Sequence, residues 1–154
     1  SLLAENYTVL AIDFRGYGKS TQGRKARALY EDILAGVRYL KSNSDIDKIT
    51  ILGASMGGAA AAKASVKAEK NSIDQLILLS PANIYQPAKL QGQLLFIASK
   101  GEYLVPALQA AFDKAPQPKA LQLIAGSAHA QHIFKTEQAT ALTHIILQFL
   151  QQEH

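Results

Sequence analysis

Five short runs rich in β-branched and aliphatic residues, Thr8–Phe14, Lys48–Leu52, Gln75–Leu79, Gln93–Ala98 and Ala120–Ile124, constrain this chain more than any other feature. The first four are apolar almost without a break. A strand that is apolar on both faces has to be covered on both faces, which is the condition of a parallel sheet sandwiched between helices. The intervening segments have helical period. Leu29, Ile33, Val37 and Leu40 share one face of a helix, and Leu142, Ile145, Ile146, Phe149 and Leu150 share one face of another near the C-terminus. The stretch Met56–Glu69 is rich in alanine and small throughout, as suits a helix pressed closely onto strands, and a further helix is expected over Val105–Ala115. The order is strand, helix, strand, helix, strand, short connection, strand, helix, strand, helix. It predicts one α/β domain over residues 1–154, a parallel sheet of about five strands joined by right-handed crossovers, with helices on both faces.

Composition supports that reading and removes others. With 154 residues, 48% of them hydrophobic, the chain can bury a core without disulfide or metal. There is no cysteine, which excludes a disulfide framework, thiol catalysis and thiolate zinc sites. Its absence leaves the compartment open, with the cytoplasm as the default expectation. No apolar run approaches the ~20 residues that span a bilayer. The first residues, Ser1-Leu2-Leu3-Ala4-Glu5-Asn6, carry neither an initiator Met nor the pattern of a signal peptide, as expected of a fragment or a processed product. The net charge is +4, and Arg15, Lys19, Arg24, Lys25 and Arg27 lie close together. Only Phe14 and Tyr17 accompany them, so a solvated loop and helix start is preferred to a nucleic-acid surface.

In parallel α/β sheets, chemistry collects beyond the carboxyl ends of the strands. The second apolar run passes directly into Gly53-Ala54-Ser55-Met56-Gly57-Gly58 and then the alanine-rich helix. A G-x-S-x-G sequence between strand and helix makes a sharp, strained turn that lifts the serine hydroxyl clear of the sheet, and side chains at the flanking glycines are expected to collide with neighbouring backbone. The helix that starts there turns its unpaired N–H groups toward the same point, so the N–H of Met56 is a candidate oxyanion donor. Serine needs a base. His144 lies within the last helix and His154 at the terminus, whereas His129 and His132 follow the fifth strand. His129, nearer the strand and among small residues, is preferred as the base, and His132 is expected to cap or pack. The imidazole in turn needs a carboxylate, and Glu102, just past the fourth strand, is the candidate, ahead of Asp113 within a helix. Nucleophile, acid and histidine then follow in that chain order.

The stretch from Tyr7 through Asp13-Phe14-Arg15-Gly16-Tyr17-Gly18-Lys19-Ser20 resembles the strand and D-x-R-G-x-G-x-S loop of α/β-hydrolase-fold esterases and related serine hydrolases. Together with the elbow and the two later loops, the similarity covers nearly the whole chain. The resemblance implies Ser55 as nucleophile, Glu102 as acid, His129 as base and Met56 as oxyanion donor. Asp13 and Arg15 become loop-structuring residues. It implies a serine carboxylesterase acting on small esters with short acyl chains, without cofactor, metal, nucleic acid or membrane span. The rival expectations are a truncated or degenerate relative without activity, and an acyltransferase or peptidase of the same fold.

Two departures from the family pattern carry expectations of their own. Three strands precede the one resembling Thr8–Phe14 in the family, and the loop after the third supplies a second oxyanion donor. Here they are missing. Either Thr8–Phe14 moves across to pair with Lys48–Leu52, or that edge stays open and another copy of the chain covers it. In the second case the apolar faces of the first strand and of the alanine-rich helix stay open too, and a homodimer or larger oligomer joined at the N-terminal side is expected. The connection Ser80–Gln91 is too short for a lid domain, so the acyl site is expected to be open and shallow.

Overall fold

The computed structural model describes residues 7–23, 27–43 and 45–152. Its strands are β1 (Thr50–Ala54), β2 (Gln75–Leu79), β3 (Gln93–Ser99) and β4 (Lys119–Ile124). The helices are α1 (Leu29–Lys41), α2 (Met56–Lys67), α3 (Val105–Lys114) and α4 (Ala139–Leu150). The strands form one parallel sheet in the order β1-β2-β3-β4. Ala54 lies beside Leu79, Leu79 beside Ile97, and Ser99 beside Ile124, so the carboxyl ends of the strands finish close together.

Strand alternation sends one set of side chains to each face. Leu76, Leu78, Leu94, Phe96 and Ala98 face α1, α2 and α3, whereas Ile77, Leu79, Leu95 and Ile97 face α4 and the 3-10 turn Ala130–Lys135. The runs apolar on both faces are therefore covered on both, as a parallel sheet demands. The small residues of α2 let it lie directly on β1 and β2, and Ala60, Ala61, Ala62 and Ala64 are buried there. The apolar face expected to remain open on this helix is closed, because α1 packs along it.

The fifth strand is not formed. Residues 7–14 carry no strand pairing, and the backbone groups of residues 8–12 make no hydrogen bond to another described residue. Extended backbone becomes a strand only where a neighbour pairs with it, and this segment is held by its side chains instead, Tyr7 on the core beside α4. Phe14 packs on the core beneath α1 and α2, and Leu10 lies against α1 at Gly36. The following loop is tied to α1 through Arg15. Its backbone N–H and its guanidinium both donate to Asp32, the latter at 2.6–3.1 Å, and the guanidinium also reaches Glu31 at 3.2 Å. Between the segment and β1 lies an apolar slot lined by Leu10, Ile12 and Phe14 on one side and Ile51, Leu52 and Gly53 on the other. Of the two alternatives, closure of Thr8–Phe14 onto the next strand does not occur, and among the described residues β1 pairs with β2 alone. The apolar side chains there are open, with Val9 45%, Leu10 40%, Ile12 39% and Leu52 42% exposed.

Candidate active site

β1 ends at Ala54, and Ser55 turns the chain into α2 with φ 51° and ψ −117°, a conformation that side chains rarely adopt. Three backbone hydrogen bonds impose it. Ser55 N–H donates to Leu79 O at 3.0 Å, while Ser55 O accepts from Ala59 N–H at 3.1 Å and from Ala82 N–H at 3.0 Å. A side chain at Gly53 would sit 2.5 Å from Gly57 O, so the first glycine of the elbow is obligatory. The second constraint falls elsewhere than expected. A Cβ at Gly57 meets only Phe14 at 3.8 Å, whereas one at Gly58 comes within 3.0 Å of Pro81. The helix crosses the β2 exit one residue later than the motif suggests, and Gly58 allows that approach.

Ser55 is half-buried, and its Oγ lies 2.8 Å from His129 Nε2. His129 Nδ1 lies 2.6 Å from Glu102 Oε2. The Glu102 side chain is 2% exposed against 37% for His129, so Glu102 is sealed in and His129 opens to solvent beside Ser55. Glu102 Oε1 accepts from the Ser99 N–H at 2.9 Å and from the Ser80 hydroxyl at 2.6 Å. With the imidazole proton on Nδ1 directed to the carboxylate, Nε2 is left to accept the proton of the Ser55 hydroxyl. The N–H of Met56 heads α2 and makes no hydrogen bond to another described residue. Above it, the Tyr17 hydroxyl reaches the Met56 sulfur at 3.6 Å, so the 13–20 loop borders the nucleophile.

The structure brings together Ser55, Glu102 and His129, with Met56 beside them. His132 lies on the adjoining 3-10 turn with its side chain exposed, and it neither caps nor packs. Asp113 and His144 are exposed on α3 and α4, and His154 lies outside the described residues. Arg15 and Asp13 structure their loop. Asp13 accepts from the Lys19 N–H at 3.1 Å and from the Ser20 hydroxyl at 2.8 Å, and any side chain at Gly18 would overlap its carboxylate. The Arg15 guanidinium, hydrogen-bonded to Asp32, holds that carboxyl below the ordinary aspartate value. Arg15 is thus drawn out of the basic cluster, while Arg24 and Lys25 lie outside the described residues. The serines that hydrogen-bond Glu102, Ser80 and Ser99, were not legible in the sequence, where each is one more small polar residue at a strand end.

Residues 1–144 match the model of the family described as serine aminopeptidase, S33. The chain belongs to this family. It is an α/β hydrolase, and the same fold appears among solved structures. An α/β serine hydrolase homologue from Coxiella burnetii superposes with a TM-score of 0.71 at 22% identity, covering 89% of this chain and 66% of that one. Est1E from Butyrivibrio proteoclasticus, solved with ferulic acid, superposes with a TM-score of 0.70 at 17% identity, covering 91% and 76%. An uncharacterized protein of Mycobacterium tuberculosis is 36% identical over 84 residues, which are 53% of this chain and 24% of that protein. The chain therefore spans about a quarter of the length of that curated relative. Among the described residues no helix is long and apolar enough to cross a membrane, and no cluster of three or more His, Asp or Glu could hold a metal ion.

Proposed function

We propose that this hydrolase is a serine carboxylesterase that cleaves esters of short acyl chains through an acyl-Ser55 intermediate and needs no cofactor. The observation that carries the reading is the continuous relay from Ser55 Oγ through His129 to Glu102, with contacts of 2.8 and 2.6 Å, mounted on a strained positive-φ elbow. His129 Nε2 takes the hydroxyl proton as Ser55 Oγ bonds to the ester carbonyl carbon, and Met56 N–H faces the developing oxyanion. The tetrahedral adduct collapses with loss of the alkoxide, which receives the proton from His129. Water then repeats the sequence on the acyl enzyme and releases the acid. Glu102 holds the imidazole with Nε2 toward Ser55 throughout.

Small esters suit the site because the connection from β2 to β3 carries only the 3-10 turn Pro87–Lys89 where a lid would stand, and Tyr103 is largely exposed near the acid. The test is burst-phase hydrolysis of p-nitrophenyl acetate and butyrate by wild type and Ser55→Ala, with fluorophosphonate labelling. Equal rates, or labelling spread over Ser80, Ser99 or Ser127, would sink the reading. The family's description as serine aminopeptidase favours a peptidase as the second reading, and faster cleavage of aminoacyl p-nitroanilides than of the esters would select it.

The unpaired edge of β1 and the open slot beside it support a homodimer or larger oligomer joined at the N-terminal side of the sheet. Light scattering across a dilution series reads this directly. A monomeric mass at every concentration rejects the association.

A further inference from the structure

Ser80 is 1% exposed, and its φ of 42° puts a non-glycine residue in the left-handed region directly after β2. Two other non-glycine residues around the site also have positive φ, Ser55 at 51° and Ala130 at 51°. Strained backbone of this kind persists only where its surroundings over-determine it. At Ser80 the surroundings are specific. Its N–H donates to Ile97 O at 2.7 Å, its hydroxyl donates to Glu102 Oε1 at 2.6 Å, and its oxygen accepts from Ala130 N–H at 3.1 Å. A hydroxyl has one proton to give and lone pairs to receive with. Here the proton goes to the acid, and a lone pair takes the buried N–H of the residue that follows His129.

Resting on the reading of Ser55, His129 and Glu102 as a catalytic triad, we propose that Ser80 is a positioning residue that couples the acid to the base. A carboxylate can rotate, and its two oxygens are equivalent until something distinguishes them. The Ser80 hydroxyl and the Ser99 N–H together occupy Oε1, which leaves Oε2 to face His129 Nδ1. The same hydroxyl fixes the chain where it leaves His129, so a movement of one partner is transmitted to the other. Ser99 provides a contrast. Its hydroxyl donates to Ala128 O at 2.7 Å and steadies the chain entering His129, but its side chain makes no hydrogen bond to Glu102. The two buried serines, at the ends of adjacent strands, thus hold the loop on both sides of the base, and only the hydroxyl of Ser80 also holds the acid.

The test is a double-mutant cycle on the purified protein with p-nitrophenyl acetate, read together with the proton resonance of His129 Nδ1–H. Ser80→Ala is expected to lower kcat about tenfold or more at unchanged KM, less than the ~10⁴-fold lost when the acid of a serine-protease triad is replaced by its amide. In a Glu102→Ala background the same change is expected to cost less than about twofold, because contacts made through a shared partner are non-additive. Ser99→Ala is expected to keep its cost in both backgrounds. The downfield Nδ1–H resonance, present in wild type and in Ser55→Ala, should move upfield and exchange faster with water in Ser80→Ala. Equal cost of Ser80→Ala with and without Glu102, or an unmoved resonance, overturns the proposal. Should Ser80→Ala not fold, Ser80→Gly, which accepts the left-handed backbone, carries the same measurements. If Ser55→Ala hydrolyses ester as fast as wild type, the triad reading fails, and the resonance alone decides whether Ser80 orders the acid and base.

Discussion

The carboxyl ends of β2, β3 and β4 and the strip between residues 7–14 and β1 flank Ser55, yet they are built differently. On the first side every element is paired. Gly101 N–H donates to Gly126 O at 2.9 Å and Lys100 N–H to Ile124 O at 2.8 Å, so the acid loop and the histidine loop are fastened to each other beyond the sheet. A side chain at Gly101 would approach Gly126 O to 3.0 Å, which shows how closely the two loops run. On the second side the apolar slot stays open, and residues 7–15 are held by side-chain packing and by the Arg15–Asp32 contact rather than by strand pairing. Glu102 and His129 are thus held by dense, hydrogen-bonded structure, while the side of Ser55 along residues 7–14 and β1 is sparse.

The largest expected effect tests whether the packed side holds the chemistry. His129→Ala should lose about 10⁴-fold or more in esterase turnover, as removal of the base does in serine proteases. His132→Ala, on the same loop but exposed, should stay within about twofold. Glu102→Gln should fall between the two, folded but with the imidazole poorly held. Steady-state kinetics on p-nitrophenyl acetate rank the three, and a His132→Ala defect larger than that of His129→Ala would reverse the assignment of the base.

Stability should divide along the same line. Phe96 is fully buried on β3 and meets the Phe112 ring edge to face at 5.5 Å, so Phe96→Ala should cost about 3–5 kcal/mol in urea unfolding. Leu10 is half open in the slot, and Leu10→Ala should cost less than about 1 kcal/mol. Comparable losses at the two positions would mean that the slot is closed in solution, by association or otherwise.

The smallest effect concerns the tie that keeps residues 7–14 on α1. Hydrogen bonding to Arg15 depresses the Asp32 carboxyl below 3.8, its ordinary value. A depressed folded-state value means stability that is present above the unfolded value and is lost as pH falls through the folded one. Asp32→Asn should therefore lower the melting temperature at neutral pH, and the gap from wild type should close on acidification below about 3.8. A gap that persists in acid would show that the side chain matters for packing rather than for charge.

Much of this architecture can be read locally. The runs Gln75–Leu79 and Gln93–Ala98 became β2 and β3 within a residue, and the periodic faces of α1 and α4 bury Ile33, Val37, Leu142, Ile146 and Phe149, because apolar period and strand length are properties of the chain itself. The elbow and the order Ser55, Glu102, His129 were legible for the same reason, since a strained turn needs particular residues at fixed spacing. Other features depend on what lies opposite. Thr8–Phe14 has a strand's composition, but a strand exists only by pairing, and the anchoring of Arg15 to Asp32 holds the segment away from β1. Gly58 rather than Gly57 carries the second close approach, because Pro81 comes from a different loop. Ser80 gains its place between Glu102 and Ala130 only when three strand ends far apart in sequence meet at the edge of one sheet.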